Sequence, residues 1–174
     1  MQQLLEQAPA QAALAVPQES LYVIDHIAIA VEDLESSVEW FCGRLGFQLI
    51  ERRTTRGQRT SMSSAVVVLG QATVVLIQGH EPECQVNRFI QQFGAGVQHV
   101  ALRVPDLDTA LSQFPSTESY ADTAVIEGDG IRQVFLTRTG GSGVRLELIE
   151  RNGGSFSDQS VQKLFLDFER RDLY

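Results

Sequence analysis

The sequence predicts an α+β fold in which two tandem βαβββ modules enclose one shared cavity. Three observations lead there. Residues 22–41 (YVIDHIAIAVEDLESSVEWF) and 97–114 (VQHVALRVPDLDTALSQF) share one pattern, and laying His26 on His99 also lays Val31 on Val104, Asp33 on Asp106, Leu34 on Leu107 and Phe41 on Phe114. Each copy opens on a short, partly β-branched apolar run and continues into helical spacing. Three more strand-like runs follow each helix. Two copies of a unit of about seventy residues make a duplication rather than a solenoid.

The elements follow in order. Residues 1–20, with Pro9 and Pro17 among Gln and Ala, are expected to be a flexible segment, and 21–174 a single domain with modules at about 22–80 and 95–150. VIDHIAIAV and VQHVALRV are the opening strands. Asp33 and Asp106 stand where a helix N-cap belongs. Leu34, Val38 and Phe41 then fall at helical spacing until Gly46, and Leu107, Leu111 and Phe114 until Pro115. FQLIERR, SSAVVVLG and ATVVLIQ complete the first module; TAVIEG, IRQVFLTR and GVRLELIE complete the second. CQVNRFIQQF reads as a linker helix and SVQKLFLDFERRDL as a C-terminal one. One helix covers one face of each four-stranded sheet, so the two bare faces, curled together, would close a cavity.

Bulk composition narrows the function. The 174 residues are 43% hydrophobic and 21% charged, with a net charge of −8. That balance argues against a nucleic-acid partner, which needs clustered Lys and Arg; the one basic stretch, ERRTTRGQR at 51–59, reads as a solvated hairpin. Cys42 and Cys84 have no CxxC spacing and read as free thiols. No run of about 18–20 apolar residues exists to cross a membrane, and the N-terminus lacks a signal peptide's positive start. A cytoplasmic protein is expected.

Side chains alternate along a strand, so His26 should share a face with Ile24, Ala28 and Ala30, and His99 with Val97 and Ala101. Glu147 sits in the middle of an apolar strand, where a carboxylate is costly unless paired or metal-bound. Each residue alone has an ordinary reading. A single strand histidine is usually a hydrogen-bonded core residue, and Glu147 could pair with Arg145 or Arg151. The three together are different: pseudo-twofold symmetry brings the two histidines to one place, and His26, His99 and Glu147 form a set for a divalent first-row metal. Matching the last strands puts Val75 opposite Glu147 in the repeat, with Val74 or Leu76 there after a slip of one. None of these binds a metal. Two His and one carboxylate with open positions suit a non-haem Fe(II) oxygenase; zinc hydrolases also use His₂Glu.

These residues resemble the vicinal oxygen chelate (glyoxalase-like) superfamily, and within it the catalytic C-terminal domain of 4-hydroxyphenylpyruvate dioxygenase and its hydroxymandelate-forming relatives. GAGVQHVAL (94–102) is similar to that family's Gly-x-Gly-Val-Gln-His segment, and IRQVFLTR to its Leu-Gln-Ile-Phe-Thr strand. LELIERNGGSF (146–156) resembles its Glu-Ile-Ile-x-Arg-x-Gly stretch, and VQKLFLDFERRDL its C-terminal helix. The likeness covers roughly residues 22–173. It implies Fe(II) held by His26, His99 and Glu147, catalytic roles for Gln98 and Gln133, and substrate-binding roles for Phe135 and Phe156. It also implies a 2-oxo acid and O₂ as partners, with oxidative decarboxylation followed by hydroxylation, and it allows a homodimer. Some stretches differ. The family's Gly-Phe-Gly is Ser155-Phe156-Ser157 here, its Asn-Phe is Ser160-Val161, and its Asn-Glu-Pro is His80-Glu81-Pro82. The family enzymes carry a further N-terminal domain that this sequence does not contain. His80, beside a glycine in a turn, is expected to be exposed or to stand behind the ligands.

The alternative is a metal-dependent epimerase or lyase of the same superfamily, of the methylmalonyl-CoA epimerase or glyoxalase type. Such enzymes usually take a fourth ligand from the first module; Gln71 or Gln78 would supply it under a shifted register. A non-catalytic binder of the antibiotic-sequestering type has no need of the His/His/Glu set.

Overall fold

The computed structural model describes residues 22–114, 120–138, 143–154 and 156–174. The expected frayed segment 1–20 and the expected helix stop at Pro115 lie outside them. Eight strands form one curled mixed sheet in the order β2-β3-β4-β1-β5-β8-β7-β6. The first module supplies β1 (Val23–Ala30), β2 (Gln48–Arg56), β3 (Ser61–Leu69) and β4 (Ala72–Gly79). The second supplies β5 (Gly96–Arg103), β6 (Ile126–Gly128), β7 (Ile131–Phe135) and β8 (Arg145–Arg151). Strand order within one half mirrors the other, so a pseudo-twofold axis passes between β1 and β5. These two pair antiparallel, and both modules belong to one chain.

Each module folds for the same local reasons. The Asp33 carboxylate accepts from Ser36 N at the start of α1 (Leu34–Val38), and Asp106 accepts from Thr109 N at the start of α3 (Leu107–Ser112). The first backbone N–H of each helix is met from the sheet: Leu34 N donates to Gln78 Oε1 and Leu107 N to Glu150 Oε2. α1 continues as a π-helical stretch (Glu39–Arg44), and Gly46 follows with φ +79°, a left-handed geometry that glycine adopts at no steric cost. α1 packs Leu34 and Val38 on Ala65, Val67, Val74 and Leu76; α3 packs Leu107 and Ala110 on Val134, Leu136 and Leu148. Both helices cover the outer face of the sheet. The inner face is left for the cavity.

The final strand-like segments are shorter than the sequence suggests. TAVIEG keeps only Ile126–Gly128 as a strand, and IRQVFLTR ends as a strand at Phe135. The Thr123 hydroxyl accepts the Phe135 N–H, and the Phe135 carbonyl accepts from Asp122 N and Thr123 N. A side chain thus takes over a bond that a regular ladder would make.

The linker helix α2 (Gln85–Phe93) and the C-terminal helix α4 (Asp158–Arg171) close the curl. α2 buries Val86 and Phe89 beside Ala30, Ile77 and Phe165 of α4. α4 starts on a Ser157/Ser160 capping box and spans the two edges of the sheet. Gln162 Nε2 donates to Arg56 O on one edge, and Lys163 Nζ to Glu127 O on the other. Glu169 fastens the β2–β3 hairpin by accepting from Gln58 N, Arg59 N, Thr60 N and the Thr60 hydroxyl. Gly57 permits this approach, since a Cβ there would collide with the Glu169 carboxylate. No helix among the described residues is long and apolar enough to cross a membrane.

Glu169→Ala should lower unfolding stability by about 2 kcal/mol, because backbone donors at the hairpin lose a charged acceptor. Urea unfolding at neutral pH measures this. A change below about 0.5 kcal/mol would mean that the hairpin does not depend on α4.

Candidate metal centre

β1, β5 and β8 bring three donor atoms to one point. His26 Nε2 lies 3.3 Å from His99 Nε2. Glu147 Oε2 lies 3.5 Å from the first and 3.4 Å from the second. The point equidistant from the three is about 2 Å from each, the length of a metal–nitrogen or metal–oxygen bond. His26 and Glu147 are buried, and the His99 side chain is only 12% exposed. Among the described residues, this is the one group of three or more His, Cys, Asp or Glu side chains able to hold a metal ion.

Each imidazole has an acceptor oxygen at Nδ1, on the side away from that centre. His26 Nδ1 donates to Asp25 Oδ1 at 3.0 Å, and His99 Nδ1 donates to Gln98 Oε1. With Nδ1 protonated, both Nε2 atoms present lone pairs, and the carboxylate adds a third. With the carboxyl ionised, three acceptors converge on one point, and the second Glu147 oxygen, Oε1, is buried without a hydrogen-bond partner. A divalent cation fits this donor set, since it is what such an arrangement lacks.

Burial governs the electrostatics. Desolvation pushes the Glu147 carboxyl up to about 7, with nearby Asp25 adding to the rise against the attraction of His26 and Arg151. Desolvation, reinforced by His26, Arg145 and Arg138, holds the His99 imidazole well below its usual range. Burial would also raise Asp25, but hydrogen bonds from His26 and Arg151 outweigh it and keep that carboxyl well below the normal carboxylate range. Arg151 meets Asp25 through Nε and Nη2, both at 2.7 Å. Neither arginine considered from the sequence pairs with Glu147: Arg145 pairs with Asp122, and Arg151 with Asp25.

A cavity of about 450 Å³ opens over the three donors. Met62, Val66, Val75 and Leu164 give it apolar walls, while Ser64, Thr73 and Gln133 add polar atoms. Of the residues expected from the sequence, Gln133 lines the cavity with its Oε1 unpartnered, and Phe156 lines it with its ring edge-on to His26 at 5.6 Å. Phe135 is fully buried behind His99, edge-on at 5.0 Å. Gln98 is buried and engaged with His99, outside the cavity lining.

The strand register fixes the position equivalent to Glu147. Ala101 pairs with Glu147 in the second module, and Ala28 pairs with Val75 in the first. Val75 therefore stands at the twofold counterpart of the carboxylate. Gln78 is occupied in capping α1, bonding Leu34 N and Glu32 O. Gln71 is exposed at the β3–β4 turn and lines the cavity. His80 is exposed, as expected, and bonds the Ser61 and Ser63 hydroxyls.

Asp25 and Arg151 are site residues that the sequence reasoning did not single out. Strict alternation sends Asp25 to the face opposite His26, yet a register shift between Ile24 and His26 brings both to the cavity. A signal was available. The offset that matches the histidines also matches Asp25 with Gln98, two side chains able to accept a hydrogen bond from the adjacent ring.

A duplicated module with three buried donors at its internal twofold defines a class of small metal-centred proteins. The chain belongs to the Glyoxalase/Bleomycin resistance protein/Dioxygenase superfamily, whose sequence model matches residues 25–121. It is 32% identical over 91 residues to the uncharacterized protein YwkD of Bacillus subtilis (strain 168), covering 52% of this chain and 68% of that one. It is 27% identical over 128 residues to the mitochondrial methylmalonyl-CoA epimerase of Mus musculus, covering 72% and 71%. Among solved structures, a triple mutant of 4-hydroxymandelate synthase from Streptomyces coelicolor superposes with TM-score 0.74 at 21% identity. That match covers 87% of this chain and 54% of the synthase, so this chain spans about half of that enzyme's length. Methylmalonyl-CoA epimerase from Mycobacterium tuberculosis superposes with TM-score 0.60 at 26% identity, covering 74% and 87%.

The Glu147 environment makes a prediction about stability. Its carboxyl is raised from the usual 4.5 to about 7, so its contribution is fully present below pH 4.5 and is lost as pH rises through 7. Metal-free protein should therefore lose roughly 3 kcal/mol from this group between those limits. Glu147→Gln should remove most of that loss while abolishing any stabilisation by added divalent metal. Unfolding at pH 5 and pH 8 in chelator measures the first effect and unfolding with added Co(II) the second; identical pH dependence in the two proteins would contradict the assignment.

Proposed function

We propose that the protein is a non-haem Fe(II) dioxygenase acting on a 2-oxo acid, an arylpyruvate such as 4-hydroxyphenylpyruvate, by oxidative decarboxylation and hydroxylation. The observation that carries this reading is the asymmetry between the modules: β8 contributes Glu147 where β4 contributes Val75. Protein donors thus stop at three on one side, and the other side faces the cavity. Two histidines and one carboxylate in that arrangement are the set used for Fe(II) oxygenase chemistry. His26, His99 and Glu147 would hold Fe(II), which when bound would supply O₂ activation and the oxidative decarboxylation of the keto acid.

The chain's own residues account for the remaining requirements. Phe156, Val66, Val75 and Leu164 offer an apolar wall for an aryl side chain. Gln133 lines the cavity with a buried amide oxygen that has no partner, so it can orient a polar hydrogen of the substrate. Phe135 supports His99 from behind and fixes the ring plane. The likeness of the His99 and Glu147 stretches to 4-hydroxyphenylpyruvate dioxygenase supports the same reading.

A second reading is a metal-dependent epimerase. It is favoured by the 128-residue similarity to the mouse methylmalonyl-CoA epimerase and by Gln71, which lines the cavity and could add a fourth donor after a turn movement.

Oxygen uptake by anaerobically Fe(II)-reconstituted protein separates the two. Substrate-dependent uptake and CO₂ release with 4-hydroxyphenylpyruvate or phenylpyruvate, abolished in Glu147→Ala, is the expected result. No uptake across a panel of keto acids, together with solvent-deuterium incorporation at C2 of methylmalonyl-CoA, would replace the dioxygenase by the epimerase. In addition, Val75→Glu should retain divalent metal but lower the uptake rate roughly 100-fold or more, by filling a position that substrate or O₂ requires. Unchanged uptake in that variant would contradict the role given to Val75.

A further inference from the structure

We infer that Asp25 and Gln98 are a matched pair of positioning residues, each set by a β-bulge to hold its neighbouring histidine with Nε2 towards Glu147, and that the Asp25–Arg151 pair makes His26 the stronger of the two imidazole donors. This rests on the metal-centre reading of the three donors and not on the dioxygenase chemistry.

The bulges are the structural device. Along β1 the pairing with β5 runs Ile24↔Leu102 and then His26↔Ala101, which leaves Asp25 as an extra residue. Along β5 the pairing runs Ala28↔His99 and then Ile29↔Val97, which leaves Gln98 as an extra residue. In a regular strand, consecutive side chains point to opposite faces and neither residue could reach the ring beside it. A bulge puts the extra residue and its neighbour on one side. The two extra residues are twofold equivalents, so one solution is used twice.

The consequence is a fixed tautomer on both rings. Asp25 is a carboxylate and can only accept, so His26 carries its hydrogen on Nδ1. The Gln98 amide oxygen likewise accepts from His99 Nδ1. Both lone pairs then face the centre without any rearrangement when a cation arrives. Regular β1 and β5 strands would leave both Nδ1 atoms without these acceptors, and nothing on that side would keep the hydrogen off the inner nitrogen.

The two copies differ in charge, and the difference is built in. An ionised partner polarises the N–H more than an amide does and raises electron density on the opposite nitrogen. Asp25 is only 8% exposed in its side chain, so its charge needs a counter-ion, and Arg151 supplies it through two bonds of 2.7 Å. The Arg151 guanidinium in turn lies 4.7 Å from the centre of the Phe156 ring, whose edge meets His26. Arg151 therefore ties the segment after β8 to the donor strength of His26. Gln98 has no such charged partner on its side-chain amide among the described residues.

Nitrogen-15 spectra of the metal-free protein at pH 8 and Co(II) affinities test the proposal without any turnover. Native protein should show both rings protonated on Nδ1. Asp25→Asn keeps the size and an acceptor oxygen but removes the charge. It should shift the His26 ring nitrogens, leave those of His99 in place, and raise the Co(II) dissociation constant about tenfold or more. Gln98→Glu should move affinity the other way. A native ring carrying its hydrogen on Nε2, or an Asp25→Asn protein that binds Co(II) within about twofold of native, would overturn the proposal. If Asp25→Asn does not fold, the native spectra and Gln98→Glu still decide it. Native tautomers as expected in a protein that consumes no O₂ would count against the dioxygenase and leave this inference standing.

Discussion

The antiparallel pairing of β1 with β5 is the interaction on which the rest of the structure depends. It joins the two modules edge to edge, turns two four-stranded sheets into one curled sheet, and places the pseudo-twofold axis between the two histidine strands. Because the partners are equivalent strands running in opposite directions, equivalent residues approach each other across the axis. His26 and His99 meet there at 3.3 Å. A single module could present one histidine on an open sheet but could not surround it.

Bringing those donors together carries an electrostatic cost that the surroundings only partly offset. Glu147 is buried with one oxygen unbonded, and neither nearby arginine pairs with it: Arg151 is committed to Asp25 and Arg145 to Asp122. Most buried carboxylates are paired or hydrogen-bonded. Here the neighbouring positive charge is used to order a histidine, and the carboxylate is left to face the cavity. Sites arranged for binding differ from sites arranged for stability in this respect. α4 contributes by spanning both edges of the sheet, so that Val161 and Leu164 roof the cavity while Glu169 pins the far hairpin.

The duplication has been kept where it builds the fold and relaxed where it meets the ligand. Gln78 and Glu150 perform the same helix-capping service in the two halves, one neutral and one charged. Asp25 and Gln98 perform the same service for the two histidines, again one charged and one neutral. At the innermost position the copies diverge completely: Glu147 in one and Val75 in the other. That substitution decides how many positions a bound ion would have free.

The sequence by itself determined the modules, their strands and helices, the twofold match of His26 with His99, and the candidacy of Glu147 and Val75. Capping residues and a repeated phrase are local signals that survive in the structure because local geometry enforces them, and alternation survives except at the two bulges. The sequence was silent on Asp25, and it offered Arg151 as a partner for Glu147 where the structure pairs it with Asp25. A β-bulge is a property of two paired strands, so Asp25 changes face only once β1 has found its register on β5. Arg151 reaches Asp25 across 126 residues of chain and over the intervening β5, a contact that no spacing rule encodes. The shortened β6 and β7 were likewise decided by Thr123 bonding into a ladder twelve residues away. Periodicity reports which way a side chain points along its own strand; only tertiary pairing sets where the strand slips, and at this site the slip orients both histidines.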